Sequence, residues 1–269
     1  MASDDLSTRS AVVTLRRGLV LPLLLLAVWE AGSHSGLVNP QFLPPLEKVG
    51  RVAWQEFRSG ELPFALATSL KRDLLGFALG ASIGIVVGLL LGLSRIADRI
   101  FTTWFNGLKQ IALLAWIPLI SLWFGFDEAA KIVFIALAAA IPVILNTVEG
   151  VRSTSTKLLD VGDVFRFSRL QLAWSLYLPA ATPSVLTGLH LGLIYAWLAT
   201  IGAEYFMAAG PGIGGLIISG RERFEMALVM LGIVVVGLVG FALDRSATLL
   251  ERRLVKWRTA RMRKHNDDH

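Results

Sequence analysis

The chain has no cysteine among its 269 residues, so neither a disulfide frame nor a thiolate-ligated metal site is available to it. It is also poor in charge. Asp, Glu, Lys and Arg make up 17% of it, where soluble domains average about a quarter. No Gly-x-x-x-x-Gly-Lys-Ser/Thr phosphate loop occurs, which excludes ordinary P-loop nucleotide binding. No Ser/His/Asp arrangement points to covalent catalysis, and no sequence cluster of His, Asp and Glu points to a metal site. Gly210-Pro211-Gly212-Ile213-Gly214-Gly215 resembles a dinucleotide-binding glycine loop only loosely. It follows an apolar helix rather than a strand, and reads as a turn.

What is present is apolar: 54% of the residues are hydrophobic, and the mean hydropathy is +0.62. The net charge is +6. The basic residues sit at the chain ends and between apolar runs, with no basic face interleaved with aromatics. That pattern fits orientation in a lipid bilayer better than a nucleic-acid surface.

Six stretches approach the roughly 20 apolar residues that a membrane-crossing helix needs. They are Gly18–Gly32, which is short, Leu74–Leu93, Gly107–Phe126, Ile132–Val151, about Pro183–Phe206 and about Ala227–Leu250. Arg16 and Arg17 ahead of the first also fit a secretory signal, but five later stretches make it an uncleaved first span. An even count puts both termini on one side. Lys and Arg mark the cytoplasm. They gather at Arg9, Arg16 and Arg17, at Arg95 and Arg99, at Arg152, Lys157, Arg166 and Arg169, and in the tail from Arg252 to Lys264. Both termini are therefore expected in the cytoplasm. The domain plan is a cytoplasmic segment 1–17, a transmembrane domain 18–257 and a basic cytoplasmic tail 258–269. Outside the membrane, Pro44-Pro45 precede an amphipathic stretch, Leu46–Phe57, with Val49, Val52, Ala53 and Phe57 near one face. That predicts a surface helix.

In the second span Gly76, Gly80, Gly84, Gly88 and Gly92 recur at every fourth residue. The stripe has no side chains and lets another helix come close. Gly188 and Gly192 repeat the device in the fifth span. Tight packing and sliding between conformations are both open readings. Polar groups at membrane depth face the bundle interior and mark pathways. The candidates for a pathway are His190, Tyr195 and Glu204 in the fifth span, Asn146 in the fourth and Gln110, beside Lys109, in the third. For each, a satisfied packing or interfacial group is the competing reading.

Between the fourth and fifth spans, Leu158–Trp174 is too charged to cross, but Leu158, Val161, Val164, Phe165 and Leu172 fall near helical spacing. An amphipathic cytoplasmic helix is predicted, suited to docking a soluble partner.

The same stretch resembles the coupling loop of permease subunits in ATP-binding-cassette importers. That signature runs Glu-Ala-Ala, three residues, Gly, nine residues, Ile-x-Leu-Pro. Here Asp160-Val161-Gly162, Arg166 and Leu176-Tyr177-Leu178-Pro179 match its spacing, with Asp160 for the acid and Arg166 in place of Gly. Leu114-Ala115-Trp116-Ile117-Pro118-Leu119, Leu122-Trp123-Phe124-Gly125-Phe126 and Glu128-Ala129-Ala130-Lys131-Ile132 resemble the sulfonate, taurine and nitrate branch of that family. So do Phe42-Leu43-Pro44-Pro45, Ser69-Leu70-Lys71-Arg72, the run Leu178 to Ser184, and Ala203-Glu204. His190 stands where the branch commonly has Arg.

The resemblance implies an all-α polytopic membrane bundle, the type I importer permease fold: six transmembrane helices with a coupling loop at about 152–182. It implies a homodimer of permease chains in the bacterial inner membrane, two cytoplasmic ATPase subunits and a periplasmic substrate-binding protein. ATP and Mg would belong to the ATPase, with no cofactor on this chain. Asp160, Gly162, Val164, Phe165, Arg166 and Arg169 would meet the ATPase. The solute would be a small organic or inorganic oxyanion. A self-sufficient secondary transporter or channel is the alternative, although neither an inverted repeat nor a mid-membrane acidic pair is evident.

Overall fold

The computed structural model describes residues 20–36, 39, 41–94, 100, 107–108, 110–155, 160, 164–207 and 210–254. Among them every regular element is helical. The helices are α1 (Val20–His34), α2 (Leu46–Ser59), α3 (Glu61–Leu93), α4 (Ile117–Phe124, led by a 3-10 turn Leu113–Trp116), α5 (Glu128–Arg152), α6 (Leu178–Phe206), α7 (Ile213–Glu222) and α8 (Met226–Leu254). Four have the length and apolarity to cross a bilayer: α3, α5, α6 with its preceding turn, and α8. Of the six spans expected from sequence, the first of them short, four are of bilayer length among the described residues. α1 is short. The third expected span, Gly107–Phe126, is not one helix: its regular part is interrupted at the 3-10 turn and stops at Gly125, whose φ is 74°.

Two compact units divide the chain, Met1–Leu62 with Leu216–Ile233, and Pro63–Gly215 with Val234–His269. In the first, Pro44 and Pro45 hold an extended approach to α2. The Trp29 indole donates to the Pro44 carbonyl at 2.9 Å, and Glu30 accepts the Leu46 N–H at 3.0 Å, satisfying one free donor at the start of α2. The amphipathic helix is present, and Val49 is its buried residue. Phe57, expected on that face, is exposed and stacks on Trp54. Glu30, His34 and Glu47 also converge here. Their carboxylates meet different ring nitrogens of His34, at 3.4 and 3.9 Å, so the imidazole bridges two acids on the surface. One possible ligand atom from each of the three lies within 4.8 Å of the others.

The second unit is organised by glycine. A methyl group placed at Gly76, Gly80, Gly84, Gly88 and Gly92 of α3 would collide in turn with Ile135, the Ala136 carbonyl, Val143, Thr147 and Val151 of α5. The partner number rises with the glycine number, so α3 and α5 run parallel. The start of α5 therefore lies at the end of the pair where the packed part of α3 begins, opposite the end at Leu93. α6 meets the same helix antiparallel. Gly188 lies against Asn146, Gly192 against Val143, and Gly150 of α5 against Ser184. Backbones in contact at every turn leave no room for a fractional slide, so the structure favours the packing reading of the ladder. The core between these helices is built from Phe134, Ile135, Ala138, Ala139, Ala196, Ala199, Ala203 and Met207.

α6 begins earlier than expected. A turn Arg169–Leu172 and a π segment Ala173–Tyr177 run straight into Leu178, with Pro179 in the first turn and Pro183 inside the helix. Pro179 suits the first turn, where an N–H has no helical partner, whereas Pro183 lies inside the helix and leaves the Pro179 carbonyl without its donor. On α6 and α8, Trp197 donates to Val236 O at 3.1 Å while His190 pairs with Asp244, an antiparallel register. The end of α8 therefore lies at the same end as the segment joining α5 to α6.

Candidate functional site

Pro142 interrupts the hydrogen-bond ladder of α5. With no N–H it leaves the Ala138 carbonyl without its helical donor. Beside this point lies a cavity of about 560 Å³ in the second unit, within the size range of small-molecule sites. Eight of its eleven lining residues are apolar, and the other three are Gln110, Asn146 and Tyr195. The sequence had marked all three separately as pathway candidates, and the fold brings them to one space. Asn146 Nδ2 donates one bond to the Pro142 carbonyl at 2.9 Å. An amide nitrogen carries two hydrogens. The described lining is uncharged. It offers amide and phenol groups against an aliphatic wall, an arrangement suited to holding a solute without fixing it by an ion pair.

His190 and Glu204 lie elsewhere. The His190 ring points to α8, with Nε2 2.9 Å from Asp244 Oδ1 and Nδ1 3.4 Å from Glu251 Oε2. Thr187 approaches Glu251 at 3.4 Å on the same face. This cluster ties α6 to α8.

Glu204 belongs to a buried polar network at the end of the unit where α3 and α5 begin and α6 finishes. Arg72 donates to Glu204 at 2.7 Å, to both oxygens of Glu128, and to the Pro211 carbonyl at 2.6 Å. Ser69 donates to Glu204 at 2.8 Å and accepts the Ile213 N–H at 2.9 Å, and the Gly214 N–H reaches Glu204 at 2.9 Å. Arg72 and Glu204 are each 2% exposed, so the pair is stable only because nearly every donor and acceptor is matched. The network clamps the Gly210–Gly215 turn. Gly212 has φ 153°, and a side chain there would strike the Glu204 carboxylate. The expected turn is present, and it opens α7.

Sequence reasoning placed Arg72 and Asp73 outside the membrane, because the apolar run starts at Leu74. The buried positions Ala65, Ser69, Arg72, Gly76 and Gly80 of α3 nevertheless keep helical spacing, and that stripe was the available signal.

At the other end, the expected amphipathic helix over 158–174 is interrupted. Among its described residues, Val164 and Phe165 are 80% and 68% exposed, and Arg166 has φ 51°. Left-handed backbone ends a helix. Arg166 thus holds a conformation that glycine adopts freely. Asp160 is exposed. Gly162, Lys109 and the Arg169 side chain lie outside the described residues.

The comparisons with known proteins agree with this geometry. A family model described as the binding-protein-dependent transport system inner membrane component matches residues 80–256. SsuC of Bacillus subtilis (strain 168), named for aliphatic sulfonates transport, is 37% identical over 244 residues, 91% of this chain and 88% of its own. The taurine transport system permease protein TauC of Escherichia coli (strain K12) is 35% identical over 239 residues, 87% and 86% of the two chains. The bicarbonate transport system permease protein CmpB of Synechococcus elongatus is 34% identical over 251 residues, 89% and 90%. Among solved structures, an amino acid ABC transporter with histidines superposes with a TM-score of 0.62 at 14% identity, over 75% of this chain and 97% of that one. The inward-facing MetNI methionine ABC transporter gives 0.55 at 20%, over 67% and 92%. These two share the fold. With four bilayer-length helices among the described residues and relatives above 30% identity along most of its length, the chain belongs to the inner-membrane components of binding-protein-dependent transport systems, the permease subunits of ABC importers.

Proposed function

We propose that this permease carries a small oxyanion inward through the cavity that Gln110, Asn146 and Tyr195 line. The observation that carries the reading is their convergence: three neutral polar side chains from separate segments meet in one largely apolar space beside the Pro142 break. Polar groups at membrane depth that face a shared cavity are the ordinary mark of a solute path. Names borne by the relatives support an oxyanion, since they refer to aliphatic sulfonates, taurine and bicarbonate.

In this reading two copies pair and two ATPase subunits dock at the end that bears Val164 and Phe165. A binding protein delivers solute at the opposite end, where the Arg72 network sits. That puts the end of α8 on the cytoplasmic side, in agreement with the arginine-rich tail, and the even count of spans read from the sequence would place the N-terminus there too. ATP binding closes the motors and opens the spans outward, and hydrolysis resets them. The three-helix unit α3, α5 and α6, locked by glycine contacts, moves as one body, while the exposed loop transmits the stroke. The chain itself hydrolyses no ATP, having no phosphate-binding loop.

The test is uptake into proteoliposomes that hold the permease with its ATPase and an external binding protein. Accumulation of an oxyanion should require both partners and ATP, and the purified permease should show no ATP turnover. Uptake by the permease alone would instead establish the self-sufficient transporter.

A further inference from the structure

We propose that His190, Asp244 and Glu251 form a proton-operated clasp, which takes up a proton from the cytoplasmic side and with it fastens the last turns of α8 to α6. The side from which the proton comes rests on the orientation proposed above. The clasp itself does not.

Both contacts of the ring need a hydrogen. Nε2 lies 2.9 Å from Asp244 Oδ1, and Nδ1 lies 3.4 Å from Glu251 Oε2. An ionised carboxylate only accepts, and a neutral imidazole has one N–H to give. A neutral ring between two carboxylates therefore closes one contact and turns a lone pair on the other oxygen. Closing both takes one further proton, on the ring or shared with an acid. The shorter contact, to Asp244, keeps the remaining hydrogen, so the Glu251 contact opens when the proton leaves for water. Thr187 cannot take over Glu251. Its hydroxyl has one hydrogen, and the Pro183 carbonyl at 3.1 Å competes for it with Glu251 at 3.4 Å.

The surroundings let the proton exchange and give its loss an effect. The side chains of His190, Asp244 and Glu251 are 20%, 46% and 33% exposed. Arg252 and Arg253, next along α8, are exposed too, which marks this end as the aqueous boundary. α6 carries no other charge before Glu204. On α8 the neighbouring charges are Arg245, whose guanidinium sits 5.5 Å from the Phe241 ring, and Arg252. α5 meets α6 here through Asn146 and Gly150, with Glu149 and Arg152 exposed beside them, and α3 brings apolar Ile85 and Leu89. Histidine is the side chain that changes charge within the physiological range, so the clasp holds on the acid side and loosens as pH rises. α6 continues without a break from the Arg169–Tyr177 segment that follows the exposed Val164 and Phe165. The clasp thus sets how firmly α8 follows a helix driven from that loop.

The complete importer in nanodiscs is followed by amide hydrogen exchange over the last turns of α8, corrected for the intrinsic effect of pH. Between about pH 6 and about pH 8.5 the wild-type segment should exchange roughly threefold faster or more. His190→Arg keeps its charge and its donors at every pH, and should hold the segment protected throughout. Glu251→Gln should do the same, because its amide N–H can donate to the lone pair of a neutral ring. His190→Phe should exchange fast at both pH values. In proteoliposomes with ATP inside, wild-type uptake relative to His190→Arg should fall as internal pH rises, and external pH should leave the ratio unchanged.

Identical exchange profiles for wild type and His190→Arg refute the clasp. So does a Glu251→Gln protein that loosens with pH as wild type does, and this variant decides the matter should His190→Arg fail to assemble. Exchange needs no solute, so the clasp is judged even if no oxyanion is imported. A ratio that follows external pH instead overturns the cytoplasmic placement and leaves the proton contact standing.

Discussion

Gly80→Ala puts one methyl group where α3 and α5 leave no space for it. The added carbon would fall on the Ala136 backbone carbonyl oxygen, with the Ala139 Cβ 2.9 Å away. Neither can rotate aside, so the helices must part or bend. Overpacking of this kind costs roughly 1–3 kcal/mol, and a rigid backbone neighbour puts this site in the upper part of that range. Replacing glycine by alanine inside a helix returns up to about 1 kcal/mol. The net loss should be about 1–2 kcal/mol. At roughly 2–4 °C per kcal/mol for a chain of this size, the melting temperature in detergent should fall by roughly 2–8 °C. Gly237→Ala is the internal control, because nothing lies within 4 Å of the added carbon. It gains the helix term without the collision, and its melting temperature should hold or rise. The assay is thermal unfolding of the purified protein, with ATP-driven uptake measured in parallel. Equal melting of Gly80→Ala and wild type, with uptake lost, would refute the packing argument and revive the sliding one.

Other perturbations read other parts of the account. Arg166→Gly should stabilise the protein by about 1 kcal/mol, since it removes a side chain from left-handed backbone at φ 51°. Co-purification with the ATPase should be undiminished, and a loss of stability would show that the Arg166 side chain matters more than its backbone. Glu204→Ala leaves Arg72 buried with half its ionic partners gone and frees the Gly214 N–H. Removing one member of such a pair costs about 3–5 kcal/mol, so expression of folded protein should collapse, and Glu204→Gln should recover part of it. A Glu204→Ala protein that unfolds like wild type would contradict the network. Val164→Ser with Phe165→Ser should weaken ATPase co-purification well over tenfold, at about 2 kcal/mol for each anchor lost, with the membrane helices intact. Unchanged co-purification would place docking elsewhere.

The membrane class, the long apolar helices and the glycine ladder were legible in the sequence because each follows from a local pattern: run length, or a period of four. So was the trio Gln110, Asn146 and Tyr195, which polarity inside apolar runs singled out one residue at a time. What local pattern did not reveal was their company. Nothing near His190 in sequence announces Asp244 and Glu251, which come from a helix more than fifty residues on. The reach of α3 back to Glu61 was hidden because Lys71, Arg72 and Asp73 look like a loop by composition. Arg72 is held inside by Glu204 and Glu128, Asp73 accepts one bond from Thr200 at 3.4 Å while its other oxygen is buried without a partner, and Lys71 is exposed. The third span failed for the opposite reason. Its residues are apolar enough to cross, but composition does not report where Gly125 and a 3-10 turn interrupt the helix.

The claim that solute passes the cavity of Gln110, Asn146 and Tyr195 can be tested by blocking it. The chain has no cysteine of its own. Tyr195→Cys therefore carries a single thiol, in a side chain that lines the cavity. In the reconstituted importer, labelling this thiol with a bulky maleimide should abolish ATP-driven uptake, and transported solute present during labelling should slow the reaction. Normal uptake after complete labelling, with no protection by solute, would contradict the assigned path.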